Sequence, residues 1–376
     1  MQLKAYSSIR DIGPEAWRAL ECKTYPFHDY SFHEALEMTG SIGGESGWQP
    51  LYLTLHDEKG LAGAHVVYVK KHSYGEYIFD WDWARFYAQQ GVPYYPKLVS
   101  ALPFTPATGP RLLTRAGEPA ATLGPALVQA ALDVAAKMRM SSFHALFLDP
   151  SEVGIFTGSG VVERHSLQYH WHNQGYSTFD NYLEGFVGKR RRDIVRERRR
   201  AQGHGLVIER LSGSQLRAEH GEAMEELYLS TAEKKEAIPY LQAGFFRRVF
   251  ETMADRILFV TARAGDRIIA GSLNFMKGDH LYGRYWGALA SYPDLHFELC
   301  YYQTLDFAIE HKLSLFEAGA QGEHKIQRGF LPQVIRSAHR IFDPRLRPAI
   351  EHYIGEEQRV MAQAMEELGR QNPFKS

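Results

Sequence analysis

The chain reads as an α+β protein, with mixed and mostly antiparallel sheets, in which one order of elements occurs twice. Three observations predict this. Each half carries the alternating pattern and turn residues of an antiparallel hairpin, residues 51–56 with 61–70 and residues 257–262 with 267–276. Each half then carries a helix that feeds a short apolar strand, 123–138 into 143–148 and 297–312 into 313–316. The two return strands open alike, Leu61-Ala62-Gly63-Ala64 and Ile269-Ala270-Gly271-Ser272. An internal order that repeats at a similar offset implies duplication, and the hairpins argue against a doubly wound parallel sheet. The expected domains are residues 1–175 and 176–376.

The elements follow in order. Residues 11–21 and 30–38 read as helices, the first with Pro14 in its opening turn. After the first hairpin, 83–90 reads as a short helix and 94–101 as a strand. The Pro-rich run LPFTPATGP that follows has little freedom in φ. It is read either as a packed corner or as a preformed wall of a cleft. Residues 162–172 alternate like a strand and bring His165, His170 and His172, without the acidic or Cys partners of a metal site. Residues 179–203 read as one helix with a strongly basic centre, on which Lys189, Arg192, Arg196 and Arg199 share a stripe. Strand 206–211, helices 215–235 and 239–253, a last strand 334–342 and a terminal helix 347–370 complete the chain.

Composition narrows the class. Lys and Arg number 43 against 44 Asp and Glu, so nucleic-acid binding requires a local basic patch and not a global field. The apolar fraction of 44% supports sizeable cores. Two cysteines, Cys22 and Cys300, make neither a disulfide framework nor a Cys-based zinc site. The N-terminus lacks the apolar core of a signal peptide, and no apolar run reaches membrane-spanning length. The expectation is a cytoplasmic protein with no bound metal, no tightly bound cofactor, no DNA partner and no membrane span.

The densest polar stretch follows the strand at 313–318. EAGAQGEHKIQRGF (317–330) crowds Glu317, Gln321, Glu323, His324, Lys325 and Arg328 into a Gly-rich loop at a strand's carboxyl end, where α/β proteins place ligands.

Helices, an antiparallel hairpin and then strand–helix–strand is the order of the GNAT acyltransferase fold. Two such domains in tandem resemble the Fem-type peptidyltransferases, and more specifically the FemAB-like peptidoglycan biosynthesis/recognition family of N-acyltransferases. The blocks that carry this are 79–113, FVGKRRRDIVRERR (186–199), YGRYWG (282–287), LHFELCYYQ (295–303) and LFEAGAQGEHKIQRGF (315–330). The basic helix resembles the K/R-rich helix that opens the second Fem domain. The block from Leu315 is similar to the Fem segment that runs from a D-F-G-G strand end to F-K-x-x-F-G. On that match Lys325 takes the lysine position and Arg328-Gly329-Phe330 its ending. HFELCYYQ resembles, at Glu298, the G-E-S-M-F-S stretch of the leucyl/phenylalanyl-tRNA-protein transferases, which draw their acyl group from aminoacyl-tRNA.

The resemblance implies acyl or aminoacyl transfer to an amine on a small molecule or peptide, with acyl-CoA or aminoacyl-tRNA as co-substrate and tRNA as a partner. Non-catalytic recognition of a cell-wall precursor or a tRNA end is the alternative. One departure stands out. The loop ALASYPDLHFE lacks the Gly-rich pyrophosphate motif of CoA-dependent GNAT enzymes, and it sets Asp294 and Glu298 at the helix start, where carboxylates compete with a phosphate. With an activated ester or thioester no covalent enzyme intermediate is needed. Cys300, inside an apolar helix, reads as a structural thiol. The expected catalytic residues are Glu317 for the amine, His324 as alternative base, Lys325 for the oxyanion and Glu298 to position an amine. Arg284, Tyr285, Tyr302, Gln321 and Arg328, with Lys189, Arg192, Arg196 and Arg199 of the basic helix, are the expected substrate-binding residues.

Overall fold

The computed structural model describes residues 1–20, 22–320 and 322–375. The first half contains β1 (Gln2–Tyr6), α1 (Pro14–Arg18), α2 (Tyr30–Met38), β2 (Trp48–Asp57), β3 (Gly60–Lys70), α3 (Trp81–Gln89), β4 (Lys97–Ser100), β5 (Leu112–Thr114), α4 (Ala120–Lys137), β6 (Ser142–Leu148), α5 (Val153–Gly158) and β7 (Val162–His172). The second contains α6 (Phe179–Glu184), α7 (Gly188–Gln202), β8 (Val207–Ser212), α8 (Ala218–Lys234), α9 (Phe245–Thr252), β9 (Ile257–Ala264), β10 (Arg267–Lys277), β11 (His280–Ala288), α10 (Leu295–Phe297), α11 (Gln303–Glu310), β12 (Leu315–Glu317), β13 (Leu331–Ile341) and α12 (Arg347–Gly369).

The chain forms two compact units. One comprises Met1–Cys22, Phe27–Leu167 and Val334–Ala364; the other comprises Lys23–Pro26, Gln168–Gln333 and Met365–Ser376. Strands run β1-β2-β3-β4-β6-β13 in the first unit and β8-β9-β10-β11-β12-β7 in the second. The pairings match position by position. Three antiparallel contacts lead to one parallel contact, β4 with β6 and β11 with β12, and then to one more antiparallel contact. The expected tandem mixed α/β architecture is therefore present.

The last strand of each order comes from the other half of the sequence. β7 follows β6 along the chain but pairs with β12, and β13 follows β12 but pairs with β6. A contiguous division at residue 175 is thus not the division into compact units. Local patterning places both strands correctly, but a hydrophobic period carries no information about which distant edge a strand will join.

In the first unit α4 buries Leu123, Leu127, Val128, Ala131 and Ala135 against Leu53, Val67, Leu98 and Phe143. In the second, α8 lies so close to β11 that a Cβ at Gly287 would stand 2.1 Å from the Leu227 carbonyl oxygen. The expected hairpins, long helices and terminal helix are all found within a few residues of their predicted bounds. Four local expectations are corrected. β1 replaces an unassigned N-terminus, and the helix expected at 11–21 shrinks to α1. The helix expected at 179–203 breaks at 185–187, because Phe186 turns inward onto Phe374 (ring centroids 4.5 Å) while Val187 N–H donates to Pro373 O at 3.0 Å. The helix expected at 297–312 contains a π turn at Glu298–Tyr302 between α10 and α11.

Candidate active site in the second unit

β11 and β12 run parallel only from His280↔Leu315 to Tyr282↔Glu317. Beyond that pair β11 continues to Ala288, and β12 has ended. At the same level a bulge interrupts the other edge of β11. Leu273 faces Tyr285 and Asn274 faces Gly283, so Arg284 has no register partner on β10. Parting strands and a bulge leave backbone groups directed into a gap. A cavity of about 100 Å³ fills it, lined by Ser272 and Asn274 of β10, Gly283–Trp286 of β11, His296, Cys300 and Tyr301 of the helix, and Ala318-Gly319. Gly283 keeps the passage narrow without closing it, since a Cβ there would meet Phe316 at 3.2 Å and the Asn274 Oδ1 at 3.3 Å.

The π turn decides which helix residues reach the cavity. An extra residue per turn rotates the side chains, and such turns recur at functional sites. Cys300 and Tyr301 face the cavity, while Glu298 and Tyr302 face α7. Protein around Cys300 pushes its thiol up to about 12, so it is protonated at neutral pH, in keeping with the structural role expected. Tyr301 Oη lies 3.1 Å from His324 Nε2. Burial, with the Arg328 and Lys325 cations, lowers the pKa of His324 and keeps the ring neutral. His296, desolvated and near the same cations, is held down to about 4.

Lys325 is 2% exposed. Its Nζ donates to Gly319 O at 2.8 Å, on the cavity wall, and desolvation lowers its pKa to about 8. Of the expected catalytic residues, Lys325 and His324 stand one layer behind the cavity wall, each bonded to a residue that lines it, Gly319 and Tyr301. Glu317 is buried at the end of β12, but it stands beside His170, with Oε2 3.8 Å from Nε2, and is not among the lining residues. Glu298 is fully buried and engaged elsewhere. It accepts from Gln303 at 2.7 Å and Gln202 at 3.0 Å and pairs with Arg198 at 3.3 Å, which fastens α7 to the helix.

Of the expected binding residues, Arg284 and Tyr285 line the cavity. Tyr302 and Arg328 do not. Tyr302 donates to Glu197, and Arg328 donates to Glu197 at 2.8 Å and to His324 O at 2.8 Å, with its guanidinium 3.5 Å from the Phe297 ring centre. Their network positions the loop that carries His324 and Lys325. Gln321 lies outside the described residues. Ser272, Asn274, Trp286, His296 and Tyr301 had not been singled out in the sequence. The alternation of YGRYWG and the helix start at Leu295 are the signals that could have found them.

α7 carries eight basic residues against Asp193 and Glu197. Lys189, Arg192, Arg196 and Arg199 are all exposed. The three arginines, with Arg191, form one wall of an open groove of about 560 Å³ whose floor is Leu183 and Val195. Among the described residues Arg192 and Arg199 make no ion pair, whereas Arg196 pairs with Asp193 at 2.8 Å.

The first unit has the same parallel contact, ending at Ser100↔Ala145, but its gap is closed. The Pro-rich run packs there with Ala101–Ala107 buried, and Gly109 bridges to Leu148. Arg111 donates into it, to Leu146 O at 2.8 Å, Phe147 O at 3.0 Å and Ala107 O at 3.1 Å. Of the two readings of this run, the structure has the packed corner.

A family model described as FemAB-like, peptidoglycan biosynthesis/recognition, matches residues 8–376. The chain belongs to the FemAB-like family. Among curated protein sequences none matches this FemAB-like chain significantly. Among solved structures it is similar to the C-terminal domain of a candidate lysylphosphatidylglycerol synthetase from Agrobacterium fabrum, with 9% identity, 92% of this chain and 97% of that one covered, and a TM-score of 0.56. FemX matches with 10% identity, 93% and 100% coverage and a TM-score of 0.53. L-PGS from Bacillus licheniformis matches with 9% identity, 87% and 96% coverage and a TM-score of 0.51. At such identities the likeness is one of fold, the tandem GNAT-like fold, and the family speaks for acyl or aminoacyl transfer in general terms. Among the described residues no helix of this FemAB-like protein is long and apolar enough to cross a membrane.

Proposed function

We propose that the second unit transfers an aminoacyl group from an ester donor to an amine, by direct attack in the cavity between β11 and β12. The observation that carries this reading is the open edge of β11 beyond Tyr282, level with the bulge at Arg284. A carbonyl set there meets backbone donors on a rigid strand, which is what a tetrahedral oxyanion requires. The amine nitrogen bonds to the carbonyl carbon, the proton it sheds passes through Tyr301 to neutral His324, and the ester C–O bond breaks as the leaving oxygen takes up a proton. Lys325 supplies positive charge from behind the cavity wall. The neutral thiol of Cys300 fits a reaction without a covalent enzyme intermediate.

An ester donor is favoured over acyl-CoA by the start of α10. Asp294, at φ 63°, stands at its N-cap position with its carboxylate turned to Arg200 at 2.9 Å, and Pro293 offers a carbonyl to His204 and no N–H. A carboxylate beside that end, and a proline in place of one N–H donor, both disfavour a pyrophosphate there. The exposed arginines of α7 suit the phosphates of a tRNA donor. The test is incubation with acetyl-CoA, longer acyl-CoAs or charged tRNA, each with amine acceptors, read by mass spectrometry. An amide product from charged tRNA is expected. Product from acyl-CoA alone would overturn the choice of donor, and binding without product in every arm would overturn the catalytic reading.

A further inference from the structure

The segment between β3 and α3 in the first unit turns two kinds of side chain in opposite directions. Inward it sends Ser73, Glu76 and Asp80, all buried. Lys97 Nζ donates to Ser73 Oγ at 2.8 Å, to Glu76 Oε2 at 2.8 Å and to Asp80. Outward it sends Tyr74 and Phe79, 52% and 43% exposed, beside Trp81, the first residue of α3, at 37%. These rings touch in series. Tyr74 and Trp81 have centroids 5.2 Å apart, and Phe79 stacks near Trp81 at 6.1 Å with 19° between planes.

The backbone that bears the rings is pinned. The Tyr74 carbonyl accepts from Lys70 Nζ at 3.1 Å and from Trp48 Nε1 at 3.1 Å, and the Phe79 carbonyl accepts from Arg164 at 3.1 Å. Burying two lysines with two carboxylates is costly unless geometry is specified. Here the specified geometry is a rigid loop whose apolar rings face water. Contiguous exposed aromatics on a fixed frame mark a binding surface.

We infer that Tyr74, Phe79 and Trp81 form a stacking platform for sugar rings, with a β-linked glycan strand as the partner. The charge pattern selects this occupant. Arg85 is paired with Asp82, Arg164 is paired with Glu357 at 2.8 Å, and Lys71 is, among the described residues, the one exposed lysine beside Tyr74, where the His72 ring packs at 5.3 Å; one such cation falls short of the row that a nucleic acid needs or the basic belt of an anionic membrane site. A pyranose presents apolar C–H groups of slight positive charge, which suit the negative faces of aromatic rings. Its hydroxyls find partners at the edge, where Tyr353 Oη donates to Asp82 at 3.3 Å. A family described by peptidoglycan recognition makes a glycan the consistent partner.

The experiment titrates the full chain with an oligomer of β1→4-linked N-acetylglucosamine, by calorimetry and by saturation-transfer NMR. Anionic phospholipid vesicles and an RNA duplex are parallel probes. Saturable glycan binding that weakens about tenfold in both Tyr74→Ala and Trp81→Ala, and is unchanged in Val207→Ala on the other unit, is expected. Tyr74→Ala keeps the test valid if Trp81→Ala fails to fold. No saturable glycan binding, or equal binding by all variants, overturns the inference, as does ring-dependent binding of vesicles or RNA in its place. Acyl transfer in the second unit is not invoked, so failure here leaves that reading standing, and the converse holds.

Discussion

Replacing Lys325 with Met should make the protein more stable and less active at once. The lysine is 2% exposed, and desolvation brings its pKa from 10.5 to about 8. Below pH 8 the side chain is protonated in both folded and unfolded chains, and the folded state carries the full penalty, about 3 kcal/mol. Between 8 and 10.5 the folded state sheds the proton and the penalty shrinks; above 10.5 it is gone. Met fills a similar volume without charge. It forfeits the hydrogen bond to Gly319 O, worth about 1 kcal/mol. The net expectation at pH 7 is a gain of about 2 kcal/mol, read from urea denaturation. Repeated at pH 9.5, the gain should be smaller. Transfer should fall about a hundredfold, the scale of a lost oxyanion donor. In the wild type, the contribution that depends on this cation should decline as pH rises through about 8. A Lys325→Met protein that is less stable at pH 7, or one that transfers normally, would refute the reasoning.

Three further outcomes are expected. Changing Arg192, Arg196 and Arg199 to Gln should weaken tRNA binding and flatten its salt dependence while circular dichroism stays unchanged, because all three are exposed. Glu298→Ala should cost about 2 kcal/mol in urea denaturation, because Gln202 and Gln303 lose their buried acceptor while Arg198 keeps Asp306 at 3.4 Å. Gly287→Ala should cost about 3 kcal/mol by the same measurement, because α8 would have to withdraw from β11.

What the sequence revealed follows from the range of each signal. Hairpins at β2–β3 and β9–β10 were legible because alternation and turn residues are local. So were the long helices, whose apolar stripes repeat within a turn or two. The loop around Lys325 was legible as a polar concentration. Its internal division of labour was not, since Arg328 and Glu298 look like site residues in sequence and serve to hold α7 and the loop in place. His296 and Tyr301 were missed because aromatic residues on an apolar helix resemble core, and only the π turn brings them to the cavity. Likewise, the break between α6 and α7 depends on Phe374, which comes nearly two hundred residues later.

The crossed provenance of β7 and β13 sets a timetable for the nascent chain. When residues up to 175 have left the ribosome, β6 is present but its antiparallel partner β13 has not been made. The first unit must wait for nearly the whole chain to emerge, with the edge of β6 unsatisfied until then. β7, in contrast, is available early and waits for β12. The amino-terminal half by itself lacks the last strand of its sheet, and a premature stop before β13 leaves that edge of β6 unfilled. Expressing either half by itself should give a partner-seeking fragment, and coexpression of the two should restore soluble protein.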